Sequence, residues 1–447
     1  MSIEKNIAVT PLIKFEKPNE KFIIHDGDFE LRNSKSEILK VNGKIYFKWF
    51  PHIGPKFKGE ILNGESCSSF FEEEKLQFII NKNVVADCYI SNQTIGGNHI
   101  ISGGFFGNIL LGDKSLSSQK FKFSVLNIED FFGEDIEFKT EHTTKYSKGR
   151  ILLKNKKFEI LIDKDFNYKE KFNLLKEEGG FHILYNGEIN FFKDSLNYKQ
   201  INEILEILSN FLSFVSGKKN VPLFVSAIHQ DEILYQDYTG YHNYPYEYRP
   251  SWSNLYTTDY LNDLFQNFYE IWKVNTESKF FLSSIIHWYT EINCNSGYSE
   301  GSLILAQTAL ELLYNWIVIE TKKLIIGKDS ESISASNKIR LLISQLSISY
   351  EVPAKFARLE KYRKDSKLTD GIEAIVQIRN AIVHSQEEKR KKLSEIDNMA
   401  IYEAVQLSLW YIELSLLYVL KFDAKYSNRC SVELVSSYKL ELPPWSK

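Results

Sequence analysis

The segment TDGIEAIVQIRNAIVHSQEEKRKKL, residues 369–393, predicts an amphipathic helix late in the chain. Asp370 is expected to cap this helix, because Glu373 three residues later completes a capping-box signature before the apolar run. At about 100° per residue, one broad face carries the apolar side chains of Ile372, Ile375, Val376, Ile378, Ile382 and Val383. Arg379 projects from the middle of that face, where an arginine needs an anion or other hydrogen-bond acceptors nearby.

Helical periodicity surrounds this segment and predicts six helices joined by short connections from about residue 256 onward, which is typical of a bundle. The six segments are DYLNDLFQNFYEIWKV, KFFLSSIIHWYTEIN, GSLILAQTALELLYNWIVIETKKL, SASNKIRLLISQLSI, TDGIEAIVQIRNAIVHSQEEKRKKL and MAIYEAVQLSLWYIELSLLYVLKF. The last is apolar nearly all round, so we expect it in the centre of the bundle.

The N-terminal region shows a different pattern, with short alternating or apolar runs separated by turn residues up to about residue 195. INEILEILSNFLSFVSG then predicts one helix that ends at Gly217, and VPLFVSAIH predicts a buried strand. The fold class is therefore α+β. We predict a β-rich domain over residues 1–255 and a helical domain over residues 256–447.

Composition limits the classes of protein further. The chain has 447 residues, a formal net charge of −3 and four scattered cysteines, and it shows no metal-ligand spacing. We therefore expect neither a metal nor a cofactor. The N-terminus lacks the apolar core of a signal peptide, and Ala404–Leu420 is too short for a bilayer, so we expect a cytoplasmic protein without a membrane span.

The predicted helix at residues 369–393 also carries the groups that metal-free RNA cleavage requires. Asn380 precedes His384 by four residues and shares its side of the helix, while Arg379 lies about 140° from His384 and is long enough to cover the gap. An imidazole can move a proton, a guanidinium can stabilise charge on a phosphoryl group, and an amide can orient either. RNA supplies its own nucleophile, the ribose 2′-hydroxyl.

The hexapeptide RNAIVH, residues 379–384, resembles the signature of the HEPN superfamily: an arginine, a polar residue, three further residues and a histidine. Together with AQTALELLYNWI upstream and the PPW ending, it is similar to the Apea-like HEPN branch over residues 256–447. The resemblance implies a bacterial, metal-independent endoribonuclease of the antiphage or abortive-infection type. It also implies a homodimer with a composite active site, and an N-terminal sensor domain that responds to a phage-derived trigger.

Structural explanations stand beside these interpretations. Without the resemblance, Arg379 and His384 are best explained as an interface arginine and a helix-flank histidine. Glu311 shares a polar stripe with Gln307 and Asn315 that would ordinarily face solvent; alternatively it supports Arg379 or His384.

A basic run lies just beyond the motif. Residues 351–392 contain eleven Lys or Arg against seven Asp or Glu, a local net charge of +4. The run comprises Lys389, Arg390, Lys391 and Lys392, and it belongs either to a solvated helix end or to an RNA-binding surface.

Two other functions remain open on the sequence. One is a non-catalytic HEPN module that binds RNA, nucleotide or a partner protein. The other is a scaffold whose N-terminal aromatic residues bind a carbohydrate or a phage protein.

Overall fold

The computed structural model describes residues 6–62, 68–94, 99–139, 143–253, 258–294, 300–384, 387–431 and 440–446. The chain divides into two compact units: Met1–Leu208 with Asn220–Glu247, and Ser209–Lys219 with Tyr248–Lys447. The first is β-rich and the second helical, which confirms the predicted α+β class with the strands first.

The first unit begins with a closed barrel of six antiparallel strands, arranged in the order β1-β2-β3-β6-β5-β4. These strands are β1 (Phe22–Arg32), β2 (Ile38–Lys48), β3 (Gly54–Ile61), β4 (Leu76–Ile80), β5 (Asn83–Thr94) and β6 (Ile100–Phe106), with the short helix α1 (Ser68–Phe71) between β3 and β4. Alternate side chains point inward around Phe29, Phe57 and Phe78, so period-2 alternation produces a packed interior.

Two glycines allow the barrel strands to approach closely. Gly43 of β2 pairs with Gly59 of β3, and a Cβ atom on Gly43 would lie 2.4 Å from the Gly59 Cα atom. No larger residue fits there, which is how a barrel wall with so few strands bends tightly enough to close.

The rest of the first unit is an eight-stranded sheet in the order β7-β14-β13-β8-β12-β11-β10-β9. Its strands are β7 (Leu110–Gly112), β8 (Lys120–Leu126), β9 (Glu134–Lys139), β10 (Thr144–Lys154), β11 (Phe158–Lys164), β12 (Ile183–Phe191), β13 (Leu223–His229) and β14 (Glu232–Asp237). Helix α2 (Tyr168–Glu178) packs on β12. Phe47 and Trp49 from the barrel share one buried cluster with Phe181 and Phe224.

Helix α3 (Tyr198–Ser216) contributes to both units, because the division falls between Leu208 and Ser209. Gly217 follows it with a φ of +69°, the left-handed conformation that favours glycine, so the predicted helix end is confirmed.

The helical unit contains more helices than the sequence predicted. They are α4 (Leu261–Val274), α5 (Thr276–Cys294), α6 (Glu300–Tyr314) extended by a π-helical turn (Asn315–Thr321), α7 (Asp329–Ser332), α8 (Ala335–Ser344), α9 (Ala357–Asp365), α10 (Gly371–Val383), α11 (Glu387–Glu395) and α12 (Asn398–Val419). A strand pair, β15 (Tyr426–Ser427) and β16 (Leu440–Glu441), and a 3-10 turn (Pro444–Ser446) follow. The continuous helix predicted over residues 369–393 is wrong, because α10 ends at Val383 and α11 begins at Glu387.

Helix α12 packs against α5, α6, α9 and α10, which confirms its predicted central position. Its core contains an ion pair, because Arg429 donates from Nε to Glu413 Oε2 at 2.8 Å and both side chains are at most 3% exposed. Tyr289 also donates to Glu413 at 2.7 Å. This network satisfies the buried charges and links α5, α12 and the segment after α12.

Residues Glu300–Thr321 form the one helix, within the described residues, that is long and apolar enough to cross a membrane. More than half, 56%, of its apolar 18-residue stretch is buried inside the structure. A core helix has the same composition, so this feature is weak evidence for a membrane span.

Candidate functional site at the end of helix α10

The start of α10 is fixed by a network that confirms the predicted cap. Asp370 accepts a hydrogen bond from the Glu373 backbone N–H at 2.8 Å, and Glu373 in turn accepts from the Thr369 N–H at 2.8 Å. Arg340 on α8 donates to both Asp370 carboxylate oxygens, at 2.6 and 3.1 Å. Arg340 was not anticipated, because nothing local in the sequence connects it with Asp370.

Packing covers the apolar face of α10 along most of its length, but the face opens near the C-terminal end. Ile372, Ile375 and Ile378 are buried as predicted, whereas Val383 is 41% exposed. Arg379, one turn before Val383, is half-buried. The guanidinium therefore lies where the helix passes from the protein core to its surface.

Arg379 is poorly satisfied within the described part of the chain. Its Nη1 donates to Asn380 Oδ1 at 3.3 Å, and its buried Nε has no hydrogen-bond partner there. A guanidinium has five N–H donors, and a buried donor without an acceptor costs about 1–3 kcal/mol. Arg379 therefore carries an N–H donor that no acceptor among the described residues satisfies.

His384 is exposed, unlike the half-buried Arg379. Its backbone N–H donates to the Asn380 carbonyl at 3.1 Å and its ψ of 107° takes the chain out of the helix, so it caps α10 with its side chain exposed. About 140° around the axis separates it from Arg379. The structure brings Arg379 and Asn380 together, and no contact between Arg379 and His384 is found among the described residues.

Two neighbouring side chains contact the Glu311 carboxylate on α6. Gln307 donates to Glu311 Oε1 at 2.8 Å, and Lys338 Nζ lies 3.7 Å from Glu311 Oε2. Gln307 is only 2% exposed, so the stripe faces inward at that point rather than toward solvent. Within the described residues, Glu311 contacts neither Arg379 nor His384.

The basic run lies in α11. Lys391 is exposed and its Nζ lies 2.9 Å from Glu387, one helical turn earlier. The side chains of Lys389, Arg390 and Lys392 lie outside the described part of the structure. A second set of exposed cations, counted in the +4 charge of residues 351–392 but not singled out from the sequence, lies on and beside α9: Lys355, Arg358, Lys361, Lys364 and Lys367.

A cavity of about 570 Å³ adjoins α10 on the side that His384 shares. Gln377 and Ala381 line it from α10, and Arg358 and Lys361 line it from α9. Its remaining lining residues are Tyr362, Asp365, Ser366, Leu368, Glu395, Ile396 and Asp397. Arg358 lies 3.7 Å from Asp397, so part of its charge is already balanced.

The described residues contain no cluster of His, Cys, Asp and Glu that could hold a metal ion.

Comparison with known proteins replaces the predicted family. Residues 113–249 match the YopA central domain, and residues 275–439 match the YopA C-terminal domain. The chain is 25% identical, over 462 residues, to the SPbeta prophage-derived uncharacterized protein YopA of Bacillus subtilis (strain 168), covering 99% of this chain and 99% of that protein. No solved structure matches it.

The predicted Apea-like HEPN assignment is therefore wrong, and no HEPN family is indicated. The hexapeptide at residues 379–384 misled because packing alone explains part of it: Ala381 is buried and Ile382 half-buried on the core-facing side of α10. Endoribonuclease action, antiviral defence and abortive infection, as properties of that family, lose their basis with it. The similarity that stands in its place is to the central and C-terminal domains of YopA, within a match that extends over almost the whole chain.

Proposed function

We propose that the helical unit is a non-catalytic RNA-binding module, with Arg379 contacting phosphate at the open end of α10. The observation that carries this proposal is the half-buried Arg379, whose Nε lacks an acceptor within the described residues. A planar guanidinium binds phosphate through two parallel hydrogen bonds, which would satisfy these donors.

The surrounding charge supports an anionic polymer as the ligand. Residues 351–392 carry a local net charge of +4, although the whole chain is slightly acidic. The exposed cations beside α9 belong to the helix that packs directly on α10. Several phosphates along an RNA backbone would engage such a surface, and each contact releases counterions.

The geometry supports binding more than catalysis. Acid–base cleavage needs His384 and Arg379 at one phosphate, yet they point to different sides of α10. A second copy of the chain could supply the missing group, and the predicted homodimer stays a prediction. Asn380 then orients Arg379, and exposed His384 flanks the bound strand.

The test is fluorescence anisotropy with a labelled mixed-sequence RNA and full-length protein, comparing wild type with Arg379→Ala and Arg379→Lys. We expect Arg379→Ala to weaken binding about tenfold, the effect of losing one charge-assisted hydrogen-bonded contact. Arg379→Lys should bind RNA more tightly than Arg379→Ala, since lysine keeps the positive charge but not the two parallel N–H donors of the guanidinium. Arg32→Ala, which removes another half-buried arginine, is the matched control.

Two results would overturn the proposal. Equal affinity for wild type and Arg379→Ala would remove Arg379 from the binding surface. Cyclic-phosphate products formed in excess EDTA by wild type, but not by His384→Ala, would show that the module cleaves RNA and would replace binding with catalysis.

A further inference from the structure

The barrel has an outward face on which aromatic rings and lysines alternate. Strands β2, β3, β6 and β5 are neighbours, and their register places Tyr46, Lys56, Gly104 and Tyr89 in one row across the four strands. The flanking residues Phe57 and Gly103 point inward or are buried, so this row faces away from the barrel core. Phe106 and Lys58 occupy the rows on either side.

Gly104 shapes the middle of this row. A Cβ atom there would lie 2.5 Å from Lys56 Nζ and 2.6 Å from the Tyr89 hydroxyl. Because that space is empty, Lys56 reaches across β6, donates to the Tyr89 hydroxyl at 2.9 Å and lies 5.2 Å from the centre of its ring. The cation is thereby held against the hydroxyl end of the Tyr89 ring at the surface.

A second ring extends the platform. The Phe106 and Tyr89 ring centres lie 5.0 Å apart, and Phe106 is 45% exposed although it is a large apolar side chain. Exposing a phenylalanine at the surface forfeits burial energy, so a ligand that covers it would recover that energy.

Uncompensated positive charge accompanies the rings. Lys58 is exposed in the next row, and in the described part of the chain no ion-pair partner is found for Lys58 or Lys48. Lys44, by contrast, is paired with Asp26 at 3.0 Å. Lys44 is the cross-strand neighbour of Lys58, so the lysines without an ion-pair partner among the described residues, Lys48 and Lys58, lie in the two rows that flank the rings.

A packing role explains only part of this arrangement. Tyr89 covers Gly104 across the strand pair, a contact that stabilises sheets by itself. That explanation does not require Phe106 to be exposed or Lys58 to lie beside the rings without a partner. Ring faces beside cations fit a ligand with flat bases and a phosphate backbone.

We propose that this barrel face, formed by Tyr46, Lys56, Lys58, Tyr89 and Phe106, binds single-stranded nucleic acid. Bases stack on Phe106 and Tyr89, and Lys56 and Lys58 contact the backbone phosphates. The site lies in the first unit and is independent of the RNA contact proposed at Arg379. Duplexes bind more weakly, because their bases are already stacked on each other.

The experiment titrates full-length protein into fluorescein-labelled oligouridine of 12 nucleotides, with a self-complementary duplex of equal length as competitor. Phe106→Ala and Lys58→Ala are expected to weaken oligouridine binding about tenfold and severalfold, respectively. The matched controls are Phe192→Ala, which removes a phenylalanine that is also 45% exposed, and Lys114→Ala. Both controls should bind as wild type does, and circular dichroism establishes that each variant is folded.

The outcomes separate this site from the one on α10. If Phe106→Ala and Lys58→Ala bind as tightly as wild type while Arg379→Ala loses affinity, the barrel inference fails and the Arg379 proposal stands. If the barrel variants lose affinity in an Arg379→Ala background as well, the barrel site is established separately. Equal affinity for duplex and single strand would also overturn the barrel inference, since stacking on the rings would not be involved.

Discussion

At the residue scale, His182 couples the stability of the β-rich unit to pH. Its side chain is fully buried, and neither ring nitrogen has a hydrogen-bond partner among the described residues. Burial and then the nearby charge of Lys171 lower the pKa of His182 from 6.5 to about 4. The folded protein therefore holds this imidazole neutral under conditions in which the unfolded chain protonates it.

We predict that this histidine costs stability as the solution becomes acidic. The unfolded state binds the extra proton between pH 6.5 and about 4, so stability falls as pH decreases through that window. The loss should reach about 3 kcal/mol at the acid end. Urea unfolding at several pH values measures it for wild type and His182→Leu.

The leucine variant should show a flatter profile between these pH values, and a variant at the exposed His52 serves as the control. Parallel profiles for wild type and His182→Leu would assign the acid sensitivity to other groups.

Arg429 and Glu413 give a second prediction at this scale. Arg429→Met leaves Glu413, which is fully buried, without its cation and should destabilise the protein by about 3–5 kcal/mol. The double variant Glu413→Leu with Arg429→Met should lose less, because no unpaired charge remains. Chemical denaturation measures the free energy of unfolding of both variants. The prediction is contradicted if the double variant is less stable than Arg429→Met.

At the scale of elements, α10 depends on its first turn for its position. Asp370→Ala removes the acceptor of both Glu373 N–H and Arg340, so we expect a loss of about 1–2 kcal/mol from the cap alone. Asp370→Asn keeps a capping oxygen and should lose less. In Asp370→Ala, amide hydrogen exchange in α10 should become faster than in wild type, while exchange in α4 stays the same. An unchanged rate in α10 would contradict the role assigned to Asp370.

The same element shows what local pattern can and cannot predict. Capping chemistry and apolar period identified the start of α10 and the buried face, since both depend on residues within one or two turns. Helix α9 was missed because among its residues only Leu359 is buried, which leaves no apolar stripe. The end of α10 at Val383 was also missed, because apolar residues continue up to the break.

The long-range pairing of strands could not be predicted from the sequence, for a different reason. The alternation in residues 22–106 predicted strands, but barrel closure is set by β1 pairing with β4 and β3 with β6. The contacts of Lys56 with Tyr89, and of Arg340 with Asp370, likewise join positions about 30 residues apart. Because that pairing could not be predicted, the candidate site inferred from the sequence was confined to one hexapeptide, and the barrel face was not identified.

At the scale of the whole molecule, the helical unit depends on a segment from the middle of the chain. Phe211 packs on Phe265 at 5.2 Å, and Trp252 donates to the Phe214 carbonyl at 3.0 Å. A fragment over residues 248–447 therefore lacks two buried phenylalanines, each worth about 3–5 kcal/mol, against a total stability of about 5–15 kcal/mol.

We predict that this fragment does not fold, whereas residues 198–447, which keep all of α3, do. Circular dichroism and gel filtration compare the two, and a cooperative melt of residues 248–447 at the temperature of the longer fragment would contradict the prediction.

The shared helix α3 also has a genetic consequence. The codons for Ser209–Lys219, part of the helical unit, are flanked on both sides by codons for the β-rich unit. A single crossover between two genomes cannot exchange one unit intact. A breakpoint after Lys219 separates the later helices from Phe211 and Phe214, and one before Ser209 separates β13 and β14 from the rest of the β-rich unit. The two units are therefore expected to be inherited together, as one gene that diverges by substitution rather than by shuffling.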